Sequence, residues 1–150
     1  MMYSGKIGEI LKDKGVMVWT ILPDATVFEA IQMMAEKNVG ALLVTTREGK
    51  LTGMISERDY TRKVAIKGRS SKELKVREIL STKVVHATPE HTVEECLRLM
   101  TEHRIRHLPV LDGESIAGVI SIGDLVNWII RSQEQTINHL HNYITGAYPA

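Results

Sequence analysis

The chain carries one pattern twice. Residues 20–29, Thr-Ile-Leu-Pro-Asp-Ala-Thr-Val-Phe-Glu, return at 86–95 as His-Ala-Thr-Pro-Glu-His-Thr-Val-Glu-Glu. Pro23 matches Pro89, Thr26 matches Thr92, Glu29 matches Glu95 and Met34 matches Met100. After a turn one residue shorter in the second copy, Gly53 matches Gly118, Ser56 matches Ser121 and Asp59 matches Asp124. Similar leaders, Ile7-Gly-Glu-Ile-Leu11 and Val76-Arg-Glu-Ile-Leu80, precede the copies. Half of a 150-residue chain alone makes a marginal core, so the two copies are expected to pack as one unit.

Each copy reads as strand, helix, strand, strand, helix: an α/β fold of two βαββα units plus a C-terminal helix. Thr26 with Glu29, and Thr92 with Glu95, form capping boxes. Behind them Val27, Ala30, Ile31 and Met34, and Val93, Cys96, Leu97 and Met100, recur at helical spacing. Strands are expected at 41–45, 51–55, 108–111 and 116–120, with turns at Arg47-Glu-Gly49 and Asp112-Gly113. Helices follow at about 56–66 and 121–132. The polar run 67–75 links the copies, which gives units at 7–68 and 76–132, a connector at 69–75 and a tail at 133–150. In the tail Ile137, Leu140 and Ile144 share a face, which predicts a third, amphipathic helix stopped near Gly146.

Hydrophobic residues make up 43% of the chain and charged ones 25%, as in ordinary globular proteins. A net charge of +1 offers no broad basic field to nucleic acid. One cysteine excludes an internal disulfide. No apolar run approaches a membrane span, and the first residues carry no signal core, so a cytoplasmic protein is expected.

Gly53-Met-Ile-Ser-Glu-Arg-Asp59 and Gly118-Val-Ile-Ser-Ile-Gly-Asp124 are the chemically informative stretches. Ser-x-x-Asp caps a helix, and the same carboxylate can accept two hydrogen bonds from a ribose diol. A helix start also attracts phosphate. In the basic segment Glu102-His-Arg-Ile-Arg-His107, the residues His103, Arg104, Arg106 and His107 fit either a solvated helix end or an anion clamp. The first copy has only Lys37-Asn-Val-Gly-Ala there. Arg58 and Lys63 add charge beside the first Ser-x-x-Asp. His103 and His107 are four apart, as zinc ligands on a helix would be, but Pro109 and the strand end the helix first. There is no nucleophile elbow, Walker loop or dinucleotide fingerprint, and Cys96 lies on an apolar face. Binding equipment is present without reaction equipment, so no enzyme is expected.

The doubled Gly-h-h-Ser-x-x-Asp unit resembles a tandem pair of cystathionine β-synthase (CBS) domains, the Bateman module, over about 7–131. Ser56-Glu-Arg-Asp-Tyr-Thr-Arg-Lys63, Arg104-Ile-Arg-His-Leu-Pro-Val110 and Asn142-Tyr-Ile-Thr-Gly146 are similar to stand-alone CBS-pair proteins of bacteria and plant organelles. The resemblance implies two halves about a pseudo-twofold axis and two clefts that bind AMP, ADP, ATP, or sometimes NAD or S-adenosylmethionine. It also implies a homodimer and regulation of an unknown partner in trans. By the family pattern Asp59 holds the ribose, with Ser56 near the ribose or phosphate, and adenine lies by Thr20, Ile21, Pro23 and Ala41. His103 and Arg104 reach the phosphate, with Arg106 or His107 serving the same ligand or a partner. Ile55 and Arg58 belong to the same set. Ser121 and Asp124 define the second cleft, and the Asp59 cleft is expected to be the tighter.

Overall fold

The computed structural model describes residues 5–14 and 18–145. The repeat sets its plan. In the first half, α2 (Val27–Lys37) starts on the Thr26–Glu29 capping box and ends on Asn38 in the left-handed conformation, φ 54°. In the second, α4 (Val93–His103) starts on Thr92–Glu95 and ends on Arg104, also at φ 54°. β2 (Ala41–Thr45) pairs antiparallel with β3 (Leu51–Ser56), as β4 (His107–Asp112) does with β5 (Ser115–Ser121). The register shifts at Val44/Thr45 and at the matching Val110/Leu111.

The halves differ at their first strand. β1 (Thr20–Ile21) runs parallel to β2 on the side away from β3. The strand expected at the corresponding place in the second copy reduces to a bridge between Ala87 and Val110. Ala87 donates to Pro109 O and accepts from Leu111 N, both at 2.9 Å.

The leaders are exchanged between the halves. Helix α1 (Ile7–Lys14) buries Ile7, Ile10 and Leu11 with Val93, Cys96, Leu108 and Leu125 of the second half. A 3₁₀ turn, Val76–Glu78, buries Val76, with Leu74 and Ile79 beside it, in the core of the first half. Equivalent backbone bonds fix both: Val93 N donates to Gly5 O and Val27 N to Leu74 O, each at 2.9 Å. Ile7 N donates to His91 O at 2.9 Å, and Val76 N to Ala25 O at 2.8 Å. The motif glycines make room for the exchange. A side chain on Gly53 would meet Leu80 and Ser81, and one on Gly118 would meet Leu11.

Two helices depart from expectation. The helix expected at 56–66 is a short α3 (Glu57–Tyr60) followed by a π-helical turn, Thr61–Ala65, closed by Ile66 N on Thr61 O at 3.1 Å. The wider turn keeps Val64 in the core while Arg62 and Lys63 stay at the surface. The separate tail helix is instead the continuation of α5 (Ile122–Thr145), one helix of 24 residues. Nothing between Asp124 and Thr145 breaks it, for that stretch holds neither Gly nor Pro. Gly146, the expected stop, lies outside the described residues. No helix among the described residues is long and apolar enough to cross a membrane.

Candidate functional site

The geometry starts where β3 becomes α3. Ser56 is the N-cap, in extended conformation, and Asp59 is the third helical residue. Asp59 N donates to Ser56 Oγ at 3.2 Å. Ser56 N and Oγ donate to Asp59 Oδ2 at 2.9 and 3.1 Å. The second carboxylate oxygen, Oδ1, faces Lys63 Nζ at 3.0 Å and accepts from Ser81 Oγ at 3.4 Å. Lys63 Nζ also donates to Ile79 O at 2.9 Å, so one ammonium ties α3 to the exchanged leader. Ser121 and Asp124 repeat the cap: Ser121 N donates to Asp124 Oδ2 at 2.8 Å, and Asp124 N to Ser121 Oγ at 3.1 Å.

A cleft of about 660 Å³ opens beside Asp59, within the size range of small-molecule sites. The first half supplies Gly40, Ala41, Met54, Ser56, Glu57, Arg58, Asp59, Arg62 and Lys63. The second repeat supplies Ser81, Lys83, Val84 and Val85 from the irregular segment that follows its leader, and Ile105, Arg106 and His107 from its helix-to-strand corner. The two corners correspond: Glu57 N donates to Gly40 O at 3.0 Å, and Ile122 N to Arg106 O at 2.9 Å. The first corner is Gly-Ala and the second Arg-His, so both line one cleft but only the second brings charge.

Of the residues expected at a nucleotide, Ala41, Ser56, Arg58, Asp59, Arg106 and His107 line this cleft together. The others do not. Ile55 is fully buried in the first core. Thr20 and Ile21 form β1, across β2 from β3, and Pro23 O accepts from Arg77 N at 3.0 Å. His103 ends α4, exposed. Arg104 is the left-handed cap, and its carbonyl accepts from Arg58 Nη1 at 2.7 Å, a bond between the halves. Ser121 and Asp124 stay with their own cap. Sequence reading missed Lys83, Val84 and Val85. Val84 and Val85 match Val18 and Trp19, just before Thr20, so the repeat register held the clue: the apolar segment beside Asp59 comes from the other copy.

Arg58, Arg62, Lys63, Lys83 and Arg106 outnumber Glu57 and Asp59 around the cleft. The arrangement offers an acceptor for hydroxyl groups, a dense set of donors for an anion and an apolar wall. No grouping of three or more possible metal ligands occurs among the described residues. Cys96 is buried in the second core, away from the cleft, where burial pushes its thiol up to about 12.

Known proteins share this plan. The profile of the CBS domain matches residues 9–66 and 76–131. The mitochondrial CBS domain-containing protein CBSX3 of Arabidopsis thaliana is 38% identical over 97% of this chain and 74% of its own length. A solved CBS-domain protein from Burkholderia ambifaria MC40-6 superposes with a TM-score of 0.81 at 47% identity, covering 86% of this chain and 96% of that one. The CBS domain pair of protein MJ0100, solved with 5′-methylthioadenosine and S-adenosyl-L-methionine, gives 0.74 at 20% identity, over 85% and 98%.

Proposed function

The chain belongs to the CBS domain family as a tandem regulatory pair, and we propose that it senses an adenosine nucleotide, AMP, ADP, ATP or NAD, in the Asp59 cleft. One observation carries this reading. A capped carboxylate from one repeat and an Arg-His corner from the other face the same 660 Å³ space. Asp59 suits ribose hydroxyls, Arg58, Arg62, Lys83 and Arg106 suit phosphate oxygens, and Val84 and Val85 suit the flat face of a base. The MJ0100 pair supports the adenosine class, since it shows that the fold accommodates such compounds.

The mechanism is linkage. A ligand shifts a conformational equilibrium only by its differential affinity for the two states. A phosphate held by both repeats favours the arrangement in which they close on it. A partner protein that prefers that arrangement then feels the nucleotide level, and the nucleotide feels the partner equally. The chain, as a homodimer, regulates that partner in trans.

Thermal melts with AMP, ADP, ATP and NAD test the proposal. At a hundred times the dissociation constant a ligand adds about 2.7 kcal/mol. Asp59→Ala should abolish the shift while leaving a cooperative melt. A second reading, an interaction module whose clefts stay empty, draws on the Lys63 and Ser81 contacts that already engage Asp59 Oδ1. It expects no shift with any of the four.

A further inference from the structure

We propose, on the reading of the cleft just given, that Lys63 reports the occupancy of the cleft to the exchanged leader, its ammonium standing where a ribose must bind. The two oxygens of Asp59 are spent differently. Oδ2 takes the Ser56 N–H and hydroxyl at 2.9 and 3.1 Å, and the N–H contact is part of the helix cap. Oδ1 holds Lys63 Nζ at 3.0 Å and accepts from Ser81 Oγ at 3.4 Å, and neither contact belongs to the cap. A diol that binds this carboxylate therefore displaces the ammonium from Oδ1. The same ammonium donates to Ile79 O at 2.9 Å, on the leader that completes the first core. Lys63 and Ser81 both line the cleft, so a ligand reaches this junction directly.

The local backbone puts Lys63 there. It lies within the π-helical turn Thr61–Ala65, a wide turn of the kind that gathers at functional sites. Val64 beside it is buried in the first core, which fixes the backbone, while the Lys63 side chain is 39% exposed and can turn toward the cleft. The second half is built otherwise. Trp128 holds the matching position, four residues after Asp124, and its ring fills the space that a side chain on Gly5, just before the other leader, would need. An indole packs on that segment but brings no cation to a carboxylate. Each half thus clamps the exchanged segment with the fourth residue after the motif aspartate, and in the first half that clamp also holds the oxygen a ligand needs. A ribose takes Oδ1 from the ammonium, and a phosphate in the cleft draws it away from Ile79 O. The anchoring of the leader then differs between the empty and filled states, which is the differential affinity a switch requires.

Lys63→Met, which keeps the stem and removes the charge, tests this in two ways on the full chain. By calorimetry, adenosine should bind the variant roughly fivefold more tightly than wild type, the scale of one partly exposed ion pair. A merely structural lysine would give the opposite sign, since its loss would loosen the site. By hydrogen exchange without ligand, the Ser81 amide, bonded to Met54 O at 2.9 Å, should exchange faster in the variant. The Ile7 amide, bonded to His91 O at 2.9 Å in the other half, should not change. Adenosine binding no tighter in the variant, an unchanged Ser81 amide, or equal acceleration at Ile7 would overturn the proposal. In each case the reading of the cleft stands if AMP binds wild type, and a wild type that binds neither compound overturns both.

Discussion

Leu80 fills the space that a side chain on Gly53 would need. A Cβ there would also stand 2.6 Å from the backbone oxygen of Ser81. At the matching site, the atoms nearest a Cβ on Gly118 all belong to the Leu11 side chain, Cδ2 at 2.8 Å. A methyl tip can turn aside and a carbonyl in a paired backbone cannot. Gly53→Ala should therefore cost more than Gly118→Ala, the first near the upper end of the roughly 1–3 kcal/mol typical of overpacking. Differential scanning calorimetry checks the order, and equal losses would mean that the leaders yield alike.

Arg106 offers a cleaner separation of ligand parts than Asp59. If its guanidinium meets phosphate oxygens, Arg106→Ala should weaken AMP by roughly tenfold or more, as loss of a charge-assisted hydrogen bond of about 1.5–3 kcal/mol does. Adenosine, without the phosphate, should bind the variant and the wild type alike. Isothermal calorimetry with the two compounds reads the contrast.

The capping carboxylates predict a pH dependence. The Thr92 hydroxyl donates to Glu95, as does the Thr92 backbone, and these hold the Glu95 carboxyl below its ordinary 4.5. Lys6 does the same for Glu90. A carboxyl with a lowered native pKa adds stability that is complete above the ordinary value and is lost as pH falls through the native one. The urea midpoint of wild type should therefore exceed that of Glu95→Gln at neutral pH. The gap should close as pH drops below 4.5.

Cys96 should be chemically silent in the native state. With its thiol pushed up to about 12, almost none is thiolate at neutral pH. A thiol reagent should label it only in denaturant, giving one equivalent per chain. Fast labelling of the folded protein would mean that the second core opens readily.

What the sequence made legible was local. The Thr26–Glu29 and Thr92–Glu95 boxes, the β2–β3 and β4–β5 hairpins and the Ser56–Asp59 cap depend on neighbours a few residues apart, and they stand where pattern placed them. The cleft was half legible: Asp59 and Arg106 carry their chemistry in their own names. Lys83, Val84 and Val85 were not found, because an apolar wall is chosen by which segment crosses to it, and crossing leaves no mark on residue type. The break expected after Ser132 failed for a related reason. A change from core-facing to solvent-facing side chains resembles a new element, yet the backbone between Asp124 and Thr145 holds nothing that would stop a helix.

The traded leaders make the molecule a knot of mutual dependence. Ile7 and Leu11 complete a core assembled mainly from residues 87–125, while Val76 and Ile79 complete one assembled mainly from residues 21–64. Neither repeat can melt without stripping its neighbour of interior packing, so heat or denaturant should take the pair apart in a single step. A protease cut within 67–75 would leave two fragments that still clasp each other.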